Sequence, residues 1–216
     1  MLNNIQAIKV SIPEEVTLIV VTKTFPPKMI LEAYNAGHKI FGESRVQELL
    51  EKYEALPDDI EWHLIGHLQT NKVKHIAPFV KLIHSVDSLK LLQEINKEGL
   101  KNNRVIDCLL QIYIAREKTK FGLDQKEAED LLFSEEFKKL PGLRIIGFMG
   151  MATNTDDLEQ VRIEFRSLKK FFDKLRNKNH NIQILSMGMS SDYRIAVEEG
   201  SNMIRIGSAI FAKNSP

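Results

Sequence analysis

At 216 residues, with 43% hydrophobic and 27% charged side chains, the chain has the composition of one globular domain able to bury a sizeable core. Thirty basic against twenty-nine acidic side chains leave a net charge of +1, so no basic face speaks for nucleic acid or an anionic membrane as partner. The single cysteine, Cys108, excludes an internal disulfide, and neither a signal-peptide core nor an apolar run of ~18 residues is present, so a cytoplasmic protein off the membrane is expected.

The opening dozen residues are weakly patterned, a short helix or a loose lead-in. Thr17–Thr24 (TLIVVTKT) is an apolar, β-branched run that reads as a strand buried on both faces, with Lys23 at its carboxyl end. Pro27 suits the first turn of a helix to about Asn35, which Gly37 stops. HKIFGES is a strand ending at Gly42 and Glu43, and Ser44 is the expected cap of the helix RVQELLEKYEAL. IEWHLI is a strand, after which Thr70 is expected to cap a helix through Ala77. VKLIHSVDS gives a strand and a cap, with a helix from Ser88 to Lys97 ending near Gly99. VIDCLLQIYI is a long strand followed by the polar loop AREKTKFGLD, and Asp124 caps a helix to about Phe133. LRIIGFMGMAT is a strand, and 156–177 a long amphipathic helix with a solvated outer face. IQILSMGMSSD leads from a strand into a helix from Asp192 to Glu199, and MIRIGSAIF is the last strand and turn. The alternation argues for parallel strands, and eight β/α units in one domain favour an α/β fold closed as a single (β/α)8 barrel over an open doubly wound sheet.

In such barrels the working residues lie at the carboxyl ends of the strands, and phosphate binds after the seventh and eighth. Those loops read SMGMSSD and RIGSAIF, where small residues let backbone amides approach an anion and Ser190, Ser191 and Ser208 add hydroxyls. Lys23 either snorkels to solvent or, partly buried, offers the free amine that a Schiff base with a carbonyl compound requires. A Schiff-base lysine facing a phosphate cup suggests pyridoxal 5'-phosphate (PLP). Arg205 then suits the pyridine nitrogen, which it would leave unprotonated and a poor electron sink.

VTKT, FGES, EWHLIGHLQTNK, HSVDS, EKTKFG, GFMGMAT, LSMGMSSD and IRIGSAIF occur in order over nearly the whole chain. Together they resemble the YggS/PROSC family of pyridoxal phosphate homeostasis proteins, relatives of the amino-terminal barrel of alanine racemase. The resemblance implies a single barrel domain over 1–216, monomeric, with PLP on Lys23. It implies phosphate contacts from Met189, Ser190, Gly207 and Ser208, and Arg205 near the pyridine nitrogen. Four departures bear on affinity, one of them an amino-terminal helix truncated or weak beside the family's. Ser44 stands where the family has asparagine, so a hydrogen bond toward the cofactor is shortened or lost. The strand-five exit lacks the family's asparagine but keeps Lys120, a second amine near the cofactor. The closing IFG reads Ile210-Phe211-Ala212.

His63 and His67 are four apart but straddle a glycine turn with no intervening HExxH glutamate, and His84, at the end of another strand, is too isolated in sequence to complete a site, so all three read as barrel-rim hydrogen-bonders with no metal implied. Met149, Met151, Met187 and Met189 are expected to pack the barrel mouth, and Asp192 to cap a helix. The function expected is buffering or delivery of PLP without turnover, because racemases draw a second base from a carboxyl-terminal domain for which this chain leaves no room. The alternatives are a racemase-like enzyme or a Schiff-base aldolase on the same barrel. A module that docks transiently on PLP-dependent enzymes is compatible with the first reading.

Overall fold

The β-branched apolar runs become parallel strands because both faces of each find cover, side chains of the barrel interior on one side and helices on the other. The computed structural model describes residues 1–116 and 121–212. The strands are β1 (Thr17–Val21), β2 (Ile40–Glu43), β3 (Glu61–Leu64), β4 (Leu82–Val86), β5 (Ile106–Ile112), β6 (Leu143–Gly150), β7 (Ile184–Ser186) and β8 (Met203–Ile206). They pair in chain order, and β8 returns to β1 in parallel with Ile19 opposite Arg205, closing the barrel. The helices are α1 (Leu2–Val10), α2 (Pro27–Asn35), α3 (Val46–Ala55), α4 (Val73–Ile76), α5 (Leu89–Lys101), α6 (Gln125–Phe133), α7 (Glu135–Lys138), α8 (Leu158–Arg176), α9 (Tyr193–Glu198) and α10 (Ser208–Phe211). Among the described residues no helix is long and apolar enough to cross a membrane.

Two apolar layers result. Outside the sheet, Val20, Phe41, Trp62, Ile83 and Phe148 meet helical side chains such as Ile30, Leu92 and Phe165. Inside it, Ile19, Leu82, Leu109, Met149 and Met203 pack together. Two residues further along β4, β5 and β8, toward the carboxyl ends, the interior turns polar with His84, Gln111 and Arg205, all buried. The barrel is thus plugged by hydrocarbon below and carries polar groups beneath its mouth.

Several local expectations give way to tertiary contacts. Ser44 does not cap α3; the cap position is Arg45, which makes no side-chain bond there. Thr70 starts a 3-10 turn (Thr70–Lys72) ahead of α4, with Gln69 at the cap position. Gly99 does not stop α5 but lies within it, where an added Cβ would sit 2.2 Å from the carbonyl oxygen of Gly142. It is there for close approach, since α5 packs directly on the chain entering β6. Asp192 stands at the cap position of α9 but makes no capping bond to the helix. The short α7, capped by Ser134, has too few residues to show a period. By contrast Asp124 caps α6 in a reciprocal box with Glu127, and Asp157 caps α8.

Candidate functional site

β1 ends at Val21, and the chain then turns over Lys23 and Thr24, lifting Lys23 clear of the sheet. Of the two expectations for Lys23 the exposed one is observed, and its amine has no hydrogen-bond partner among the described residues. Its neighbours are held from beneath. The Thr22 amide donates to Gly42 O at 3.0 Å, and the Thr22 hydroxyl to Glu43 Oε1 at 2.5 Å. Lys52 Nζ, on α3, donates to Thr22 O at 2.8 Å and to Glu43 Oε1 at 2.6 Å. The Thr24 amide donates to Glu48 Oε2 at 2.8 Å, and Thr24 adopts φ +68°, a left-handed conformation that costs a β-branched residue. A strained turn fastened on both sides presents one free amine. Burial pushes the Glu43 carboxyl up, against the pull of Lys52 and Thr22. Glu43, Lys52 and Glu48 gave no signal in the sequence, because a Glu and a Lys on consecutive elements look like ordinary surface charges.

The loops after β7 and β8 lie beside that turn. The Phe25 and Phe211 rings stack at 3.8 Å between centroids, joining the loop after β1 to α10. Gly207 packs on the end of β1, where an added Cβ would stand 3.3 Å from both Cβ and O of Val21. The amides of Ser190, Ser191, Gly207 and Ser208 have no protein partner among the described residues, leaving four donors at one rim. The Ser190 hydroxyl accepts from the Ala209 amide at 3.2 Å, fastening one loop to the other. The Met189 amide is committed elsewhere, donating to Asp192 Oδ1 at 2.6 Å.

Arg205 lies inside the barrel, 4% exposed. Its Nη1 donates to Ser186 O at 2.9 Å and Ser186 Oγ at 2.6 Å, and its Nη2 to Gly150 O at 3.1 Å. Burial lowers it to about 10, with Asp192 opposing, so it stays charged at neutral pH. His63 and His84, expected at the rim, are instead in the interior, because the pleat that buries Leu82 also points His84 inward. His67 is the exposed one, stacked on Phe121 and 3.5 Å from Asp87. Met149 packs inside the barrel with Met151 against it, whereas Met187 belongs to the outer layer. Ser44 lines a cavity of about 410 Å³ at the mouth with Arg45, His67 and Lys72. A larger one, about 560 Å³, lies at the opposite end around Thr17, His38 and Glu61 and holds none of the expected site residues. Lys120 falls outside the described residues, while Gln111 Nε2 donates to Phe121 O just past that segment.

Three buried histidines, His38, His63 and His84, set an acid limit, all held below their ordinary range by burial. Burial drives His63 down to about 3 and His38, which donates from Nε2 to Ile40 O, down to about 4. The unfolded chain binds protons at these histidines from pH 6.5 downward while the folded one does not. Stability is therefore full above pH 6.5 and falls as pH drops toward 4, by up to about 1.4 kcal/mol per pH unit per histidine. Glu43, raised by burial, works in the opposite sense above pH 4.5. The melting temperature should drop between pH 6.5 and 4.5, with a shallower slope in His38→Gln; equal slopes in both proteins would contradict this assignment.

Comparison with known proteins adds four findings. Residues 1–215 match the family model described as alanine racemase, N-terminal domain. The pyridoxal phosphate homeostasis protein of Aquifex aeolicus (strain VF5) is 44% identical over 199 residues, covering 91% of this chain and 86% of that protein. The solved structure of PipY from Synechococcus elongatus PCC7942 with PLP bound superposes with a TM-score of 0.87 at 32% identity, covering 97% of this chain and 99% of that one. An alanine racemase of Clostridium difficile 630 shares the fold, with a TM-score of 0.83 at 16% identity, and this chain covers 56% of its length.

Proposed function

Because the chain belongs to the pyridoxal phosphate homeostasis protein family, on the alanine racemase amino-terminal fold, we propose that it binds PLP through Lys23 and buffers or delivers it without a turnover of its own. One observation carries the reading. A lysine amine and four amides, all without a protein partner among the described residues, and a buried guanidinium lie at the adjoining ends of β1, β7 and β8. This donor set fits an aldehyde, a phosphate and a ring nitrogen.

When bound, PLP supplies an aldehyde that condenses with a primary amine and a ring that can draw electrons from an amino acid. Lys23 provides the amine. Ser190, Ser191, Gly207 and Ser208 donate to the phosphate from backbone N–H groups, which carry no charge to neutralise and need no side-chain ordering. Met189 joins them only if its amide leaves Asp192. Arg205 has five N–H donors and no acceptor, and two of the five have no protein partner among the described residues. It therefore donates to the ring nitrogen and withholds a proton from it, which weakens the ring as an electron sink. His63 and His84 are engaged inside the barrel, so neither is offered as a base. Ser44 and Lys120 are secondary contacts on this reading, and PLP-dependent enzymes are the transient recipients of a monomeric carrier.

The test is to load the protein with PLP, remove the excess by gel filtration and record the visible spectrum. Alanine is then added in D2O and its α-proton followed by NMR. A coloured protein with exchange no faster than PLP alone is expected. A colourless protein would contradict cofactor binding, and rapid exchange would make the protein an enzyme.

A further inference from the structure

Four buried polar side chains from β3, β4, β7 and β8 form a chain across the barrel interior. Arg205 Nη1 lies 2.6 Å from Ser186 Oγ, Ser186 Oγ 3.2 Å from His84 Nδ1, and His84 Nε2 3.0 Å from His63 Nδ1. His84 and Ser186 are wholly buried, and Arg205 and His63 are each 4% exposed. β4 and β7 are not sheet neighbours, so the His84–Ser186 contact spans the lumen.

The guanidinium fixes the direction of the first bond, and one arrangement of protons then runs through the rest of the chain. It can only donate, so Ser186 Oγ accepts from it, and in this arrangement the hydroxyl gives its own proton to His84 Nδ1. His84 Nδ1 then accepts, which places that ring's proton on Nε2, from where it is donated to His63 Nδ1. His63 in turn carries its proton on Nε2. A proton added to either ring would remove an acceptor and bring a second cation next to Arg205. Burial first, then the neighbouring His63 and Arg205, hold His84 well below its ordinary range, consistent with neutral rings.

We propose that His84 and His63 are positioning residues, which lock the Ser186 hydroxyl and through it hold the Arg205 guanidinium in one orientation toward the cofactor ring. The proposal rests on the reading of Arg205 as the ring nitrogen's partner. A guanidinium tied only to the carbonyls of Ser186 and Gly150 can pivot about them. A hydroxyl whose proton is pinned by His84 supplies the third fixed acceptor that stops the pivot. Loss of His84 frees the hydroxyl to rotate and leaves His63 Nδ1 without its donor.

Two readouts test this, one on the protein without cofactor and one with PLP bound. Long-range 15N–1H NMR on the cofactor-free protein at pH 7 should show His63 and His84 neutral with the proton on Nε2. In the PLP-loaded protein, His84→Leu should shift the visible maximum and speed PLP dissociation roughly tenfold, the scale of one lost hydrogen bond to a charged group. His84→Asn, whose amide oxygen can replace Nδ1 as acceptor, should restore both toward the parent values, which a packing role would not. Arg205→Lys serves as the reference and should change both. An Nδ1–H or doubly protonated ring in the parent protein would overturn the proposal whether or not any variant folds. A folded His84→Leu with unchanged spectrum and dissociation, beside an altered Arg205→Lys, would overturn the positioning role alone. An unaltered Arg205→Lys would overturn the ring contact and the proposal with it.

Discussion

Lys23→Ala is expected to lose PLP on gel filtration while melting within about 2 °C of the parent protein. The two halves of this result have separate causes. Lys23 is exposed and has no partner among the described residues, and a surface residue of that kind contributes within about ±0.5 kcal/mol to stability, or ~2 °C for a domain of this size. The same amine is the proposed covalent anchor. Without it, PLP is held by phosphate and ring contacts that equilibrate freely. Absorbance of the gel-filtered protein measures the first half and a thermal melt the second. A Lys23→Ala protein that stays coloured would place the anchor elsewhere.

Lys52→Met is expected to have the largest effect on stability. Lys52 and Glu43 have side chains 6% and 0% exposed, and Glu43 Oε2 already lacks a partner among the described residues. Removing the ammonium leaves a buried carboxylate with only the Thr22 hydroxyl, a loss of about 3–5 kcal/mol and roughly 6–20 °C in melting temperature. The double variant Glu43→Gln/Lys52→Met removes both charges and should recover much of that loss. Because Lys52 also holds the Thr22 carbonyl, the single variant should loosen the turn that presents Lys23 and weaken PLP retention at temperatures where the protein remains folded. A Lys52→Met protein melting within 2 °C of the parent would mean that Glu43 reaches water or another partner.

The barrel was legible because its strands are continuous β-branched runs and its longer helices carry their own caps and periods, as at Asp124 and along 158–176. The loops at Ser190 and Gly207 were legible as small residues after the seventh and eighth strands. What stayed hidden depends on contacts between residues distant in sequence. Gly99 looks like a helix stop until Gly142 is seen against it. His84 looks like a rim residue until the pleat turns it inward toward Ser186, 102 residues away. The burial of Lys52 follows from the packing of α3 against the turn after β1, which no local pattern encodes. Asp192 has a capping residue's sequence context, yet its carboxylate takes the Met189 amide instead.

Borohydride reduction of the PLP-loaded protein, followed by peptide mapping, tests the central claim most directly. A single stable pyridoxyl adduct on the peptide carrying Lys23 is the result this structure predicts. An adduct on Lys120 or another lysine, or no adduct in a protein that retains PLP, would contradict it.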